Sequence, residues 1–169
     1  MPTTQRSSAS ERYLRLKKAE VELSAFAIKL QEEQLTRGEA GLLDAQLREA
    51  RSMVYSSKTQ MDIRESIAML RHSEADELKA LYSRHRKFTR RIYSRYLELS
   101  SAKLPQEAIR EEVQGLLREN DAQFQQVNEE TRKAVGIISG EHPGLPSVLN
   151  INRDMHHSIK DLLQGILAE

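Results

Sequence analysis

The sequence contains no cysteine and no tryptophan, only four prolines, and aromatic residues at 5%. Without cysteine there is no disulfide framework, no thiolate nucleophile and no Cys-based zinc site, and the absence fits a cytosolic setting. The prolines stand at positions 2, 105, 143 and 146, so nothing of that kind interrupts residues 3–104. No apolar run approaches the roughly 20 residues needed to span a bilayer. The opening "MPTTQRSSASER" lacks the apolar stretch of a signal peptide, and residues 1–10 read as a flexible Ser/Thr-rich linker. A net charge of +1 over 169 residues gives no global attraction to nucleic acid.

What the chain does contain is Ala, Leu, Glu, Arg, Lys and Gln, the strong helix formers, with 30% charged residues. The composition predicts an all-α domain over 11–169, an antiparallel bundle of about five long helices. The first is expected over about 10–36 with Ser10 as N-cap, followed by a turn at Gly38 and Gly41. The second spans about 40–72, and Ser73 is placed to cap the third, about 74–101. Pro105 opens a fourth that runs to about 139. "SGEHPGLPS" is the clearest loop, and Ser147 is placed to cap a fifth helix ending near 168. Long helices on short connections pack antiparallel.

Helical geometry, at about 100° per residue, sorts the apolar positions into stripes. The third helix has Leu78, Leu81, His85, Phe88, Ile92, Tyr96 and Leu99, with His85 read as a core histidine that has a hydrogen-bond partner. The fourth has Ile109, Val113, Leu116, Leu117, Phe124, Val127 and Ile138. The first helix is apolar on two opposite sides, Leu16, Leu23, Ala27 and Leu30 against Leu14, Val21, Ala25, Ile28 and Leu35. Such a helix is either central in a bundle or covered by a partner. The second changes face, from Leu43, Leu47, Ala50, Val54 and Met61 to Ile63, Ile67 and Leu70. The fifth has Val148, Ile151, Met155, Ile159, Leu162 and Ile166.

Two segments are oddly polar for core helices. In "MVYSSKTQMDIRESIAML", residues 53–70, Lys58, Asp62 and Glu65 share one flank. In "VLNINRDMHHSIKDLLQGIL", residues 148–167, Asn152 lies within the apolar stripe and Asp154, Ser158 and Asp161 line the opposite flank. Lys58–Asp62 is readable as an ordinary i,i+4 ion pair. Asn152 is readable as a register-fixing polar residue with a partner near Ser56 or Gln60 on the second helix.

Catalytic signatures are missing. There is no Gly-rich phosphate loop, nucleophile elbow or HExxH, and no enzyme or cofactor is expected. His156 and His157 are neighbours about 100° apart and cannot face one metal, while His157 and Asp161 lack further ligands. Asp62, Glu65, Asp154 and Asp161 are the carboxylates from which a dinuclear site across the core would be built, although the Glu-x-x-His motifs of that class are absent. A separate feature is "RHRKFTRRIYSR", residues 84–95, whose Arg84, Arg86, Lys87, Arg90, Arg91 and Arg95 all point away from the third helix's apolar stripe. Acids of the fourth helix are placed to neutralise part of this face, and the remainder suits an anionic membrane surface or an acidic partner.

"YSSKTQMDIRESIAML" resembles a stretch of the PhoU-like helical domain that follows the membrane portion of bacterial sodium/phosphate cotransporters. "LNINRDMHHSIKDLLQGI" resembles that domain's closing helix, and "ERYLRLKKAEVELSAFAIKL" has its character. The resemblance covers about 11–168. The family carries a Glu/Asp-x-x-x-Asp motif in each half that binds metal clusters. Aligning the two polar helices sets Lys58 against Asp154 and Asp62 against Ser158. The matching slots here read Lys58…Asp62 and Asp154…Ser158, each short of one carboxylate. The resemblance therefore implies protein–protein or salt-bridge roles rather than metal binding at these slots, Lys58 among them. Asn152, from its place in the stripe, and Arg86, Lys87, Arg90 and Arg91, from the basic face, are the other expected interaction residues. The resemblance implies a non-catalytic, cytoplasmic regulatory domain at the inner face of the plasma membrane, partnered with the membrane portion of a sodium-dependent phosphate transporter. The other readings are a free-standing structural protein that forms homo-oligomers through the spare stripe of the first helix, and a carboxylate-bridged metal-binding bundle.

Overall fold

A computed structural model describes residues 8–137 and 144–167. Among them are six α-helices: α1 (Ala9–Gln31), α2 (Arg37–Asp62), α3 (Arg64–Arg71), α4 (Asp76–Ser100), α5 (Gln106–Ile137) and α6 (Gly144–Ile166). The all-α bundle is as expected. The second expected helix is two, however, meeting at Ile63 (φ −87°, ψ −2°), with neither proline nor glycine at the joint. The joint falls where the apolar stripe changes face. On one side the chain packs on α1 and α6, and on the other on α4 and α6.

The helix starts also differ from expectation. The N-cap of α1 is Ser8, not Ser10, in a reciprocal capping box with Glu11. Thr36 and Glu39 form a second box at α2, and Thr36 holds the Glu39 carboxyl below its usual range. Gly38 and Gly41 therefore lie inside α2. The turn before it uses Gln34 at φ 53°, a left-handed conformation that disfavours non-glycine residues. Ala75 is the N-cap of α4, and Ser73 accepts its N–H. The Pro105 carbonyl accepts the first helical bond of α5, donated by Ile109 N–H. Ser147 lies within α6. Most of the linker expected at 1–10, residues 139–143 of "SGEHPGLPS" and Ile138 lie outside the described residues.

The pairings show antiparallel neighbours. Glu20 meets Arg51 across α1 and α2. Arg84, Arg91 and Arg95 of α4 meet Glu130, Glu119 and Glu112 of α5 in reverse order. Asn120 and Asn128 of α5 bond to His156 and Asn152 of α6. Gln60 of α2 reaches Met155, while a Cβ at Gly165 would lie 3.6 Å from Glu49 Cα.

The apolar core divides in two. The larger cluster joins α3, α4, α5 and α6, with Leu78, Ile92, Val113, Ile159 and Leu163 all but sealed from solvent. The smaller one holds Ala27, Leu43 and Leu47, with Leu23, Leu30 and Leu35 packed against them. Helix α6 touches α2, α3, α4 and α5, whereas α1 touches α2 alone among the described helices.

Candidate functional site

The polar middle of α2 is a seam. Ser56 and Thr59 are buried and share a face with Glu49 and Ser52, at about 100° per residue. That face meets α6 where Gly165 comes close to Glu49 and Ser52. Small residues let the two backbones approach, and Tyr93 of α4 closes the seam. Its hydroxyl hydrogen-bonds Ser56 and accepts from Gln60 Nε2 at 3.2 Å. Gln60 also reaches Met155 Sδ at 2.8 Å. One face further along, Tyr96 donates to Glu49 at 3.1 Å, and burial keeps its phenol protonated well above the usual range. Ser158 is fully buried, and its hydroxyl has no partner among the described residues. The hydroxyl of Ser56 and the amide of Gln60 thus stand in α2 because they face Tyr93 of α4 and Met155 of α6.

Asn152 has a partner, on α5 and not on α2. Its amide donates to Phe124 O at 3.0 Å and to Asn128 Oδ1 at 2.9 Å. Close by, His156 stacks on Phe124 and bonds to Asp121 through Nε2 at 2.7 Å. Its Nδ1 and the hydroxyl of Thr89 are buried without partners among the described residues. Both residues line a cavity of about 10 Å³, with His85, Asn120 and Asn152. That is room for about one water molecule, so the cluster does not accommodate a larger ligand. His85 makes no hydrogen bond among the described residues, contrary to expectation. Burial instead pushes its pKa down to about 4.

The expected carboxylates do not converge. Asp62, Glu65 and Asp161 are exposed, and Asp154 is half-buried beside Arg153. Lys58 bonds to Asp62 at 2.5 Å, which raises the Lys58 pKa, and both side chains are more than half exposed. Among the described residues no three His, Asp or Glu side chains come together as metal ligands.

The basic helix α4 resolves into two faces. Arg84, Arg91 and Arg95, at i, i+7 and i+11, pair with Glu130, Glu119 and Glu112 of α5. Arg95 also bonds to Glu98, and these acids raise its pKa. Arg91 lies 5.8 Å from the Phe88 ring centroid. Arg86, Lys87 and Arg90 are exposed and have no ion pair among the described residues. With Tyr82 and Ser83 they line an open depression of about 420 Å³. The half-buried Tyr82 supplies a phenol and Ser83 a hydroxyl, so three cations and two neutral hydrogen-bonding groups surround one surface hollow. Such a hollow is suited to a phosphate-bearing surface. The six-cation face expected from the sequence is thus a three-cation face.

No helix among the described residues is long and apolar enough to cross a membrane. No family model, no curated protein and no solved structure matches the chain.

Proposed function

We propose that this chain is a non-catalytic regulatory domain that docks on an anionic membrane surface through Arg86, Lys87 and Arg90, beside the membrane portion of a sodium-dependent phosphate transporter. The observation that carries the docking is the division of α4. Three of its cations are held by α5, and three remain exposed around one hollow. A Lys or Arg near a negatively charged leaflet contributes about 1 kcal/mol, and the attraction fades over a Debye length of about 8 Å at physiological salt. Three such residues on one rigid helix give reversible, salt-sensitive attachment. A domain tethered to a transporter needs no more than that to set its orientation. The transporter assignment, and with it a place at the cytoplasmic face, rests on the PhoU-like character of residues 11–30, 55–70 and 149–166.

Co-sedimentation with vesicles tests the docking. The chain is expected to bind phosphatidylserine-containing vesicles at low salt, to release at high salt, and to ignore phosphatidylcholine. Arg86→Ala/Lys87→Ala/Arg90→Ala should abolish binding, while Arg84→Ala/Arg91→Ala should weaken it far less. Equal, negligible binding to both lipids at low salt contradicts the docking. Sodium-dependent phosphate uptake that is unchanged when the coding region is deleted from its host contradicts the transporter assignment.

A further inference from the structure

The first helix is held on one side only. Leu23, Ala27 and Leu30 pack on Leu43 and Leu47 of α2, and α1 touches no other described helix. On its far side Leu14, Val21 and Ile28 are 62%, 56% and 62% exposed, with Ala25 exposed between them. These apolar residues recur every seven positions, the period of a seam between two helices that wind about each other. An unpaired stripe of this kind is uncommon on a surface where single apolar residues are the rule.

The charges along the helix indicate what covers the stripe. Residues 11–18 carry four cations and one acid, and residues 20–33 carry four acids and one cation. Two copies of α1 placed side by side in parallel set like charge on like charge. Placed antiparallel, the basic end of each lies beside the acidic end of the other. With the two-fold axis next to Ala25, Val21 of one copy meets the partner's Ile28. In the same register Lys17 and Lys18 meet the partner's Glu32, and Glu22 meets the partner's Lys29. The apolar and charged positions are thus satisfied together, with the small Ala25 where the helices come closest.

We infer that α1 is a self-association surface, pairing antiparallel with α1 of a second copy of this chain. The surface is separate from the α4 hollow, so vesicle binding and self-association are independent. The pair is isologous, each side presenting the same stripe and the same charge sequence.

The test is analytical ultracentrifugation of the whole chain over a concentration series, with circular dichroism as the check on folding. A monomer–dimer equilibrium is expected. Val21→Glu/Ile28→Glu should give a monomer of unchanged helix content, because both side chains are exposed. Lys17→Glu/Lys18→Glu should weaken the dimer at least tenfold, and adding Glu32→Lys should restore it. Because the chain has no cysteine, orientation can be read by oxidation. A mixture of Val21→Cys and Ile28→Cys chains should form the mixed disulfide in preference to either homodisulfide. A monomer up to millimolar concentration would show that another partner covers the stripe, and would overturn the proposal. So would a dimer that persists in Val21→Glu/Ile28→Glu, or a preference for homodisulfides at both positions.

Discussion

In the α3–α6 core Leu78, Ile92, Val113 and Leu163 are at 0% exposure; in the α1–α2 hairpin the fully apolar contacts rest on Ala27, Leu43 and Leu47, two of which keep 7–8%. The core draws its apolar residues from α6 and the three helices α3, α4 and α5 around it. The hairpin draws them from two, with solvent on the far side of α1. Helix α2 belongs to both, because one face takes α1 and the opposite one takes α6. A helix packed on one neighbour buries a single stripe, whereas α6, in contact with four helices, buries nine residues between Val148 and Gly165. The molecule is therefore a well-sealed core with a hairpin packed on it through a polar seam, and the hairpin's outer helix α1 is held on one side only.

This contrast is open to mutation. Leu163→Ala should cost about 3–5 kcal/mol in urea denaturation, the range for emptying a sealed leucine site. Leu47→Ala should cost clearly less, about 2 kcal/mol, because the hairpin can collapse around the gap or open locally. Equal losses would dissolve the distinction between the regions.

Acid should act on the core through His85. In the folded chain its imidazole stays neutral down to about pH 4, while in the unfolded chain it takes up a proton near 6.5. The folded pKa is the lower one, so this stability is fully present above pH 6.5 and is lost as pH falls toward 4. The full loss is about 3 kcal/mol. Denaturation of His85→Leu and the parent at pH 7 and pH 4.5 should show the parent losing more on acidification.

The seam between core and hairpin is sensitive to side-chain size at Gly165. A Cβ there would make ordinary contact with Glu49 and Ser52, so Gly165→Ala should be tolerated and gain helix propensity. Gly165→Leu must push α2 away and should cost about 1–3 kcal/mol. A smaller effect is expected in the hairpin's turn. Gln34→Gly relieves a left-handed backbone and should stabilise by about 1 kcal/mol or less, visible as a shift in thermal midpoint.

Much of this was legible beforehand, for physical reasons. The stripes of α4 and α6 follow helical periodicity, and the residues expected on them within the described range are buried or partly so. The two apolar sides of α1 were also legible. The capping boxes are signalled by Ser8-x-x-Glu11 and Thr36-x-x-Glu39, whereas Ser10 has Tyr13 and no acid three residues after it. Other features depend on which helices become neighbours, which periodicity does not encode. Asn152 plainly needed a partner, but that it finds one on α5 follows from the packing of α6. The α4 cations separate by angle into a flank of Arg84, Arg91 and Arg95 and a face of Arg86, Lys87 and Arg90, yet which of the two α5 would cover was not written in α4. The joint at Ile63 has no breaker residue and follows from packing on two sets of neighbours.

The most direct measurement of the two-part architecture is native-state amide hydrogen exchange on the dilute chain, followed by peptide mass spectrometry across increasing denaturant. Amides of α1 should exchange through a local opening that is well below the global unfolding free energy and nearly independent of denaturant. Those of α4, α5 and α6 should exchange together through global unfolding. If α1 amides are protected to the same free energy and with the same denaturant dependence as those of α6, α1 and the core are one cooperative unit and the account is contradicted.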